Sequence, residues 1–572
     1  AQLLRSLGVV KGTERELREA AREFKGHALA LTLLGRYLSV VHGGEIRKRD
    51  LIPALEAEEE QGGHAKRVMK AYEVWLKGKP ELDILKLLGL FDRPAEGGAI
   101  EMLREKSAIE GLTESLCDLT GAEWNYALQH LRDLRLLDPK VKQHPDTLDE
   151  HPLVREYFGA ELKMNNPAAW KEAHLRLYRY YRDLPQKQYG RFLPETLVEM
   201  EPLFRAVAHG CQAGKHEQSL DEVYWRRISR GLESFVTKQL GAYGADLTAL
   251  TGAFKIPWNE PVDGLTSFQK AMIFSWAGFC LRGLGRLREA EKTMQAGLQI
   301  VIEQSDWLNS ARGAGNLSEL LLALGNVTEA VRLGQQGVGF AEKCRDWFSR
   351  VVSRSDLADA LHQAGENLAA ERLFREAEEI QKGSQPQDPF LTSVQGYQFC
   401  DLLLSSSAFQ QVEERANTSM ENARRTGALL DVALNHISIS KAALHPNRAS
   451  DLREIEKAVL HANRAVDGLR EAGAQHHLPR GLLARAQLLR TVGDITEAWR
   501  DLEEMQEIAE RGEMRLFLAD FHLEAARLSL AENDPPKARE HQSEAKRLVE
   551  ETAYGRRRPE VAELENLISL GE

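Results

Sequence analysis

The chain has 572 residues, too many for one hydrophobic core at roughly 100–200 residues per domain, so several units are expected. It is 43% hydrophobic and 28% charged with no apolar run long enough to cross a membrane, which points to a soluble, cytoplasmic protein. A formal net charge of −11 opposes general attraction to nucleic acid, and the widely spaced Cys117, Cys211, Cys280, Cys344 and Cys400 form no Cys-x-x-Cys pair, so neither a zinc site nor a disulfide framework is expected.

Strand signals are scarce, whereas Leu, Ala, Glu and Arg recur at three- and four-residue spacings nearly throughout, so the fold is predicted to be predominantly all-α. The chain opens at Ala1 inside a helical pattern, and an upstream segment is expected. Within residues 1–75, "FKGHALALTLLGRYL" (24–38) reads as a buried helix opened by Gly26. Residues 76–165 carry "LDILKLLGLF", "YALQHLRDLRLL", a polar Pro-containing stretch and "HPLVREYF", the order of a winged-helix module. Its supposed wing and preceding helix set Arg132, Arg135, Lys140 and Lys142 against Asp133 and Asp138, too little positive charge to read DNA. At the last of these helices Pro152 suits the first helical position, where its missing N–H is no loss, and Leu153, Tyr157 and Ala160 then define one packed face.

Residues 166–264 read as a helical connector, and "KIPWNEPVDG" (255–264) as the junction that ends it. From 265 to 572 a repeat takes over. "GRLREA" at 285, "GNVTEA" at 325, "GENLAA" at 365 and "GDITEA" at 493 share one pattern, with weaker copies at Ser407, Ala449 and Asn533. That gives about seven units of ~40 residues. Gly permits the backbone turn that ends one helix, and Ala five residues on lets the next helix pack closely. These units resemble tetratricopeptide repeats, here with a longer period than usual, and stacking them makes an α-solenoid.

The tetratricopeptide resemblance implies that the first helix of each unit lines the concave side, facing inward about nine and six residues before the turn. Counting back from Gly325 gives Asn316 and Glu319, from Gly365 Asp356 and Asp359, and from Ser407 Gln398 and Asp401, with Tyr397 adjacent. The acidic band so formed favours a cationic protein or peptide partner, unless it is only a solvated helix face in an acidic chain.

Nearly the whole chain is similar to the C-terminal part of STAND-class NTPases, the NB-ARC and NACHT signal-transducing group. Gly26-His27-Ala28-Leu29-Ala30-Leu31 matches their Gly-x-Pro-Leu-Ala-Leu motif beside the nucleotide, with Ala28 where the family has Pro. His151 matches the histidine of a Met-His-Asp-type motif that approaches the β-phosphate of ADP, with Glu150 and Pro152 replacing its neighbours. A helix start favours an anion, so that role is physically sensible; a capping role for His151 and a close-packing role for Gly26 are the plain alternatives. The resemblance implies ATP or ADP with Mg in an upstream NTPase domain in cis, no cofactor in this chain, a protein or peptide trigger, oligomer formation on activation, and bacterial anti-phage defence. A free-standing tetratricopeptide scaffold is the alternative.

No enzyme is expected within these residues. A P-loop needs Gly-Lys followed by a hydroxyl, whereas Gly78-Lys79 precedes Pro80 and Gly214-Lys215 precedes His216. The adjacent His476-His477 read as surface residues, and Arg556-Arg557-Arg558 as a solvated tail.

Overall fold

The computed structural model describes residues 1–52, 63–140, 146–443 and 451–570. The turn expected at Ala449 and the wing residue Lys142 lie outside them. The chain divides into two compact units, residues 1–192 with 205–219, and residues 193–204 with 220–572.

The first unit is helical. Thr13 and Glu16 form a reciprocal capping box that starts the Glu14–Glu23 helix. The Ala28–Val41 and Gly63–Trp75 helices pack through Tyr72, whose buried hydroxyl donates to the Leu33 carbonyl at 3.1 Å. Pro80–Leu88 meets Pro152–Asn165 where Gly89 faces Gly159; a Cβ on Gly89 would lie 2.4 Å from the Gly159 nitrogen, so side chains are excluded from the crossing. The Pro152–Asn165 helix buries Val154, Tyr157, Phe158 and Leu162. This corrects the expected face. Leu153 is half-buried and Ala160 exposed, because the apolar stripe is set one residue later by the contact at Gly159. Where a wing was expected, the described residues form a single antiparallel bridge, Ala95 with Leu148.

In the second unit the "KIPWNEPVDG" junction folds as a small antiparallel pair, Phe254–Ile256 with Glu260–Pro261. Phe254 meets Phe274 edge-on at 5.6 Å and Thr293 donates to the Trp258 carbonyl, which docks the pair on the first repeat. Seven tetratricopeptide-like helical hairpins follow among the described residues. They are Ser267–Gly283 with Leu287–Glu303, Trp307–Ala323 with Val327–Cys344, Trp347–Gln363 with Asn367–Ser384, and Ser393–Ser405 with Phe409–Thr426. Then come Leu429–Ala443 with Leu452–Glu471, Leu478–Val492 with Ile495–Arg511, and Arg515–Ala531 with Pro535–Glu551. A short turn, Gly555–Arg557, and the Arg558–Leu570 helix end the unit.

Each turn works as its sequence demands. Gly285, Gly325, Gly365, Ser407, Gly493 and Asn533 all take left-handed φ between 60° and 89°. The next residue donates back across the helix end, as in Arg286 to Leu281 (2.9 Å), Asn326 to Leu321 (2.8 Å) and Glu366 to Leu361 (2.8 Å). The small residues at the fifth position, Ala290, Ala330, Ala370, Ala498 and Ala538, are fully buried.

The hairpins wind so tightly that one hairpin touches those about five units later. Gln475 donates to the Gly283 carbonyl at 2.7 Å, and Arg288 pairs with Glu513 at 3.0 Å. A Cβ on Gly325 would meet Arg515 at 2.7 Å and Thr552 at 2.8 Å, and one on Gly365 would meet the Gly555 carbonyl carbon at 3.0 Å. Gly325 and Gly365 therefore serve twice, for backbone conformation and for contact between successive superhelical turns.

Gly365→Ala is expected to destabilise the chain by about 2 kcal/mol, from left-handed strain plus this contact. Gly383→Ala, in a helix with nothing within 4 Å, should instead stabilise it by roughly 0.5–1 kcal/mol. Urea melts of the two variants check the contrast.

Among the described residues three histidine pairs meet Nδ1 to Nδ1: His174 with His209 at 2.8 Å, His436 with His461 at 2.9 Å and His522 with His541 at 3.0 Å. Each contact requires at least one neutral ring. Burial pushes His209, His436 and His522 down to about 4. The unfolded chain then binds protons near pH 6.5 that the folded chain refuses until about pH 4, so stability is flat above 6.5 and falls between 6.5 and 4. Thermal melts at pH 7.5, 6 and 5 should show a falling midpoint, and a midpoint that does not change would contradict the neutral pairs.

Candidate functional site

The interior of the array is the strongest candidate, because its inner helices turn charged side chains toward a common axis. Arg282 of the first hairpin pairs with Glu319 of the second at 2.5 Å and donates to the Asn316 carbonyl at 3.2 Å. Asp359 is 5% exposed and accepts from Gln363 at 2.7 Å and Gln398 at 3.3 Å. Asp401 pairs with Arg556 and lies 3.9 Å from Lys441. Arg557 pairs with Asp520 at 2.7 Å, and the Tyr554 hydroxyl donates to the same carboxylate at 3.3 Å. The last three of these groupings border a cavity of about 70 Å³ lined by Asp359, Tyr397, Gln398, Lys441, Arg480 and Arg556 among others.

Burial raises the Asp359 carboxyl and lowers the Lys441 ammonium, each by penalising its charged form. Burial also works against Asp401, yet Arg556 and Lys441 hold its carboxyl well below the usual carboxylate range. The network is thus a set of desolvated charges that depend on one another.

Of the seven inner residues read from the sequence, Asp359, Tyr397, Gln398 and Asp401 share this cavity. Asn316 and Glu319 sit with Arg282, and Asp356 lies against the backbone at Gly315, where a Cβ would come within 2.1 Å of its Oδ2. The expectation of an open acidic band is corrected. Glu319 and Asp401 are ion-paired within the chain, so the cations that answer them belong to the protein itself.

Two further readings are overturned. Arg556 and Arg557 are not a solvated tail: the Gly555–Arg557 turn carries them inward, where Arg556 pairs with the half-buried Asp401 and Arg557 with the buried Asp520. Nor are His476 and His477 surface residues, being 6% and 1% exposed at the start of the sixth hairpin. Burial holds both well below the usual imidazole range. Their ligand atoms and that of Glu319 lie within 4.8 Å of one another. Arg480 already donates to His477 Nδ1 and Arg282 already binds Glu319, so this cluster is arranged around two cations and disfavours a third.

In the first unit His27 caps the Ala28–Val41 helix, its Nδ1 accepting from the Ala30 N–H at 3.2 Å. Gly26 does not pack closely: it takes φ +70°, ends the preceding helix, and a Cβ there would meet nothing within 4 Å. Ala28 stands at the first helical position, where proline is favoured. His151 caps the Pro152–Asn165 helix and its Nδ1 accepts from the Leu153 N–H at 3.2 Å. Among the described residues no hydrogen bond joins His27 and His151.

Arg480, Lys441, Arg556 and Arg557 were missed by the offset count. Extending it to Asn533 reaches Glu524 and Arg527, which are paired at 3.3 Å, so part of the network was within reach. No repeat offset leads to Arg556 or Arg557, because they follow the last hairpin.

No known family profile matches the chain, and no curated protein does. Among solved structures it is similar to a STAND protein with a tetratricopeptide repeat sensor from Pyrococcus horikoshii, at 16% identity and a TM-score of 0.39 over 98% of this chain and 72% of that one. A tetratricopeptide repeat protein from Parabacteroides merdae aligns at 15% identity and a TM-score of 0.30, covering 53% of this chain and 99% of that one. Rap protein complexed with competence and sporulation factor aligns at 11% identity and a TM-score of 0.30, over 71% and 99%. The fold class rests on the hairpins themselves.

Asp401→Asn should cost about 3–5 kcal/mol, because it strands Arg556 and Lys441 at a buried site. Glu329→Gln breaks an exposed pair with Arg332 and should cost under about 1 kcal/mol. Chemical denaturation of both variants measures the difference.

Proposed function

We propose that this chain is the regulatory, trigger-sensing half of a STAND-class signal-transducing NTPase. Its tetratricopeptide array would bind a protein or peptide trigger, and its N-terminal helices, including a winged-helix-like segment, would hold an upstream nucleotide domain in a closed state. The observation that carries this reading is the charged interior of the array, where inner helices from distant repeats share one set of ion pairs. A partner that competes for those charges shifts the array between two arrangements, which is how binding at one site biases another.

The nucleotide-facing half rests on His151. Because its Nδ1 accepts from the Leu153 N–H, the neutral ring carries its proton on Nε2, the form that donates to a phosphate oxygen. The helix start adds a favourable field for an anion. Gly26, His27 and Ala28 provide the corresponding turn and helix start in the "GHALAL" segment. ATP or ADP with Mg would be held by the upstream domain, and assembly on activation and a role in bacterial defence belong to the same reading.

The reading frame upstream of the Ala1 codon gives the first test: a Gly-x-x-x-x-Gly-Lys-Ser/Thr sequence supports the proposal, and a frame without one leaves a tetratricopeptide scaffold. In the intact protein, His151→Ala should speed ADP release about tenfold and raise output without trigger, the loss of roughly one charge-assisted hydrogen bond. Unchanged release would reduce His151 to a helix cap.

A further inference from the structure

We propose that the axial cavity of the array binds a small organic carboxylate between Arg480 and Lys441. The cavity walls carry four cations, Lys441, Arg480, Arg556 and Arg557, against three carboxylates, Asp359, Asp401 and Asp520. Arg556 is matched by Asp401 and Arg557 by Asp520. Lys441 reaches Asp401 only at 3.9 Å, and that carboxylate is already held by Arg556.

Arg480 has less. Among the described residues no carboxylate lies within 4.0 Å of it. Its guanidinium donates to His477 Nδ1 and stands 5.8 Å from the ring of Tyr397 and 5.6 Å from that of Phe517. Asp359 offsets it only in part: burial raises its carboxyl, Arg480 works against that from beyond ion-pair distance, and two amide groups already bind it. A half-buried cation without a direct carboxylate partner is costly, and an anion that enters lowers that cost.

The size and the remaining polar atoms narrow the class. One water needs ~10–15 Å³ of such space, so a cavity of about 70 Å³ has room for about five non-hydrogen atoms. That fits acetate or glycolate. Gln398 is 4% exposed and its Oε1 has no hydrogen-bond donor among the described residues. A ligand hydroxyl would supply one, so a 2-hydroxy carboxylate fits better than a simple one. The cavity shares the Asp401–Arg556 and Asp520–Arg557 pairs with the trigger proposal, but a carboxylate-dependent melt tests it without any trigger.

Thermal unfolding of the full chain tests it, with sodium chloride replaced by sodium acetate or sodium glycolate at constant ionic strength and pH. Both should raise the midpoint, glycolate by about 2 °C or more. Arg480→Gln should abolish the shift, and Gln398→Leu should remove the advantage of glycolate over acetate. If Arg480→Gln does not fold, Lys441→Gln with titration calorimetry gives the same reading, a dissociation constant for glycolate raised at least about tenfold. Equal midpoints in chloride, acetate and glycolate, or a shift undiminished in the folded charge variants, would overturn the proposal.

Discussion

The contact between successive superhelical turns governs the second unit. At Gly325 and Gly365 the backbone turn of one hairpin lies against residues almost two hundred positions later, at distances that leave no room for a side chain. Tight winding of this kind leaves little open space along the axis. Whatever the inner helices carry must then be buried and must be satisfied within the chain. The ion pairs of the interior follow from that requirement, and so does their dependence on the Gly555–Arg557 turn, which supplies two arginines from outside the repeat.

A network of this kind links distant repeats by charge rather than by apolar area. Asp401 of the fourth hairpin answers both Lys441 of the fifth and Arg556 beyond the seventh. A change at one member alters the electrostatic cost of the others, because all of them lie in a low-dielectric interior. The neutral histidines belong to the same economy of charge. His476 and His477 sit beside Arg282 and Arg480, and protonating either would add a buried cation next to those guanidiniums.

The sequence revealed the local rules and missed the long-range ones. Turn positions were legible because a left-handed residue and a buried alanine leave a spaced signature, and even Ser407 and Asn533 adopt the conformation that their place in the repeat required. The tetratricopeptide resemblance pointed to Asp359 and Asp401, and the structure places both on the axial cavity. What answers them was not legible. Arg556 reaches Asp401 from 155 positions away, and no pattern within one repeat encodes a contact that depends on how many hairpins complete a turn. His476 and His477 were misread for the same reason, since the face that buries them is contributed by a hairpin four units earlier, through Glu319. In the first unit the capping of His151 was readable from its short motif, because caps are settled within three residues, whereas the cap by His27 was missed behind Gly26.

The claim on which the rest depends is that the array closes on itself after about five hairpins, and covalent trapping of one contact tests it most directly. Arg288 and Glu513 are half-exposed, lie 225 positions apart and meet at 3.0 Å. With the native cysteines replaced by serine or alanine, cysteines at 288 and 513 treated with a short bismaleimide at low protein concentration should give a fast-migrating, internally linked monomer, while single-cysteine controls give none. Failure of the double variant to link within one chain, although both thiols react with a monofunctional maleimide, would contradict the closed superhelix and the buried network built on it.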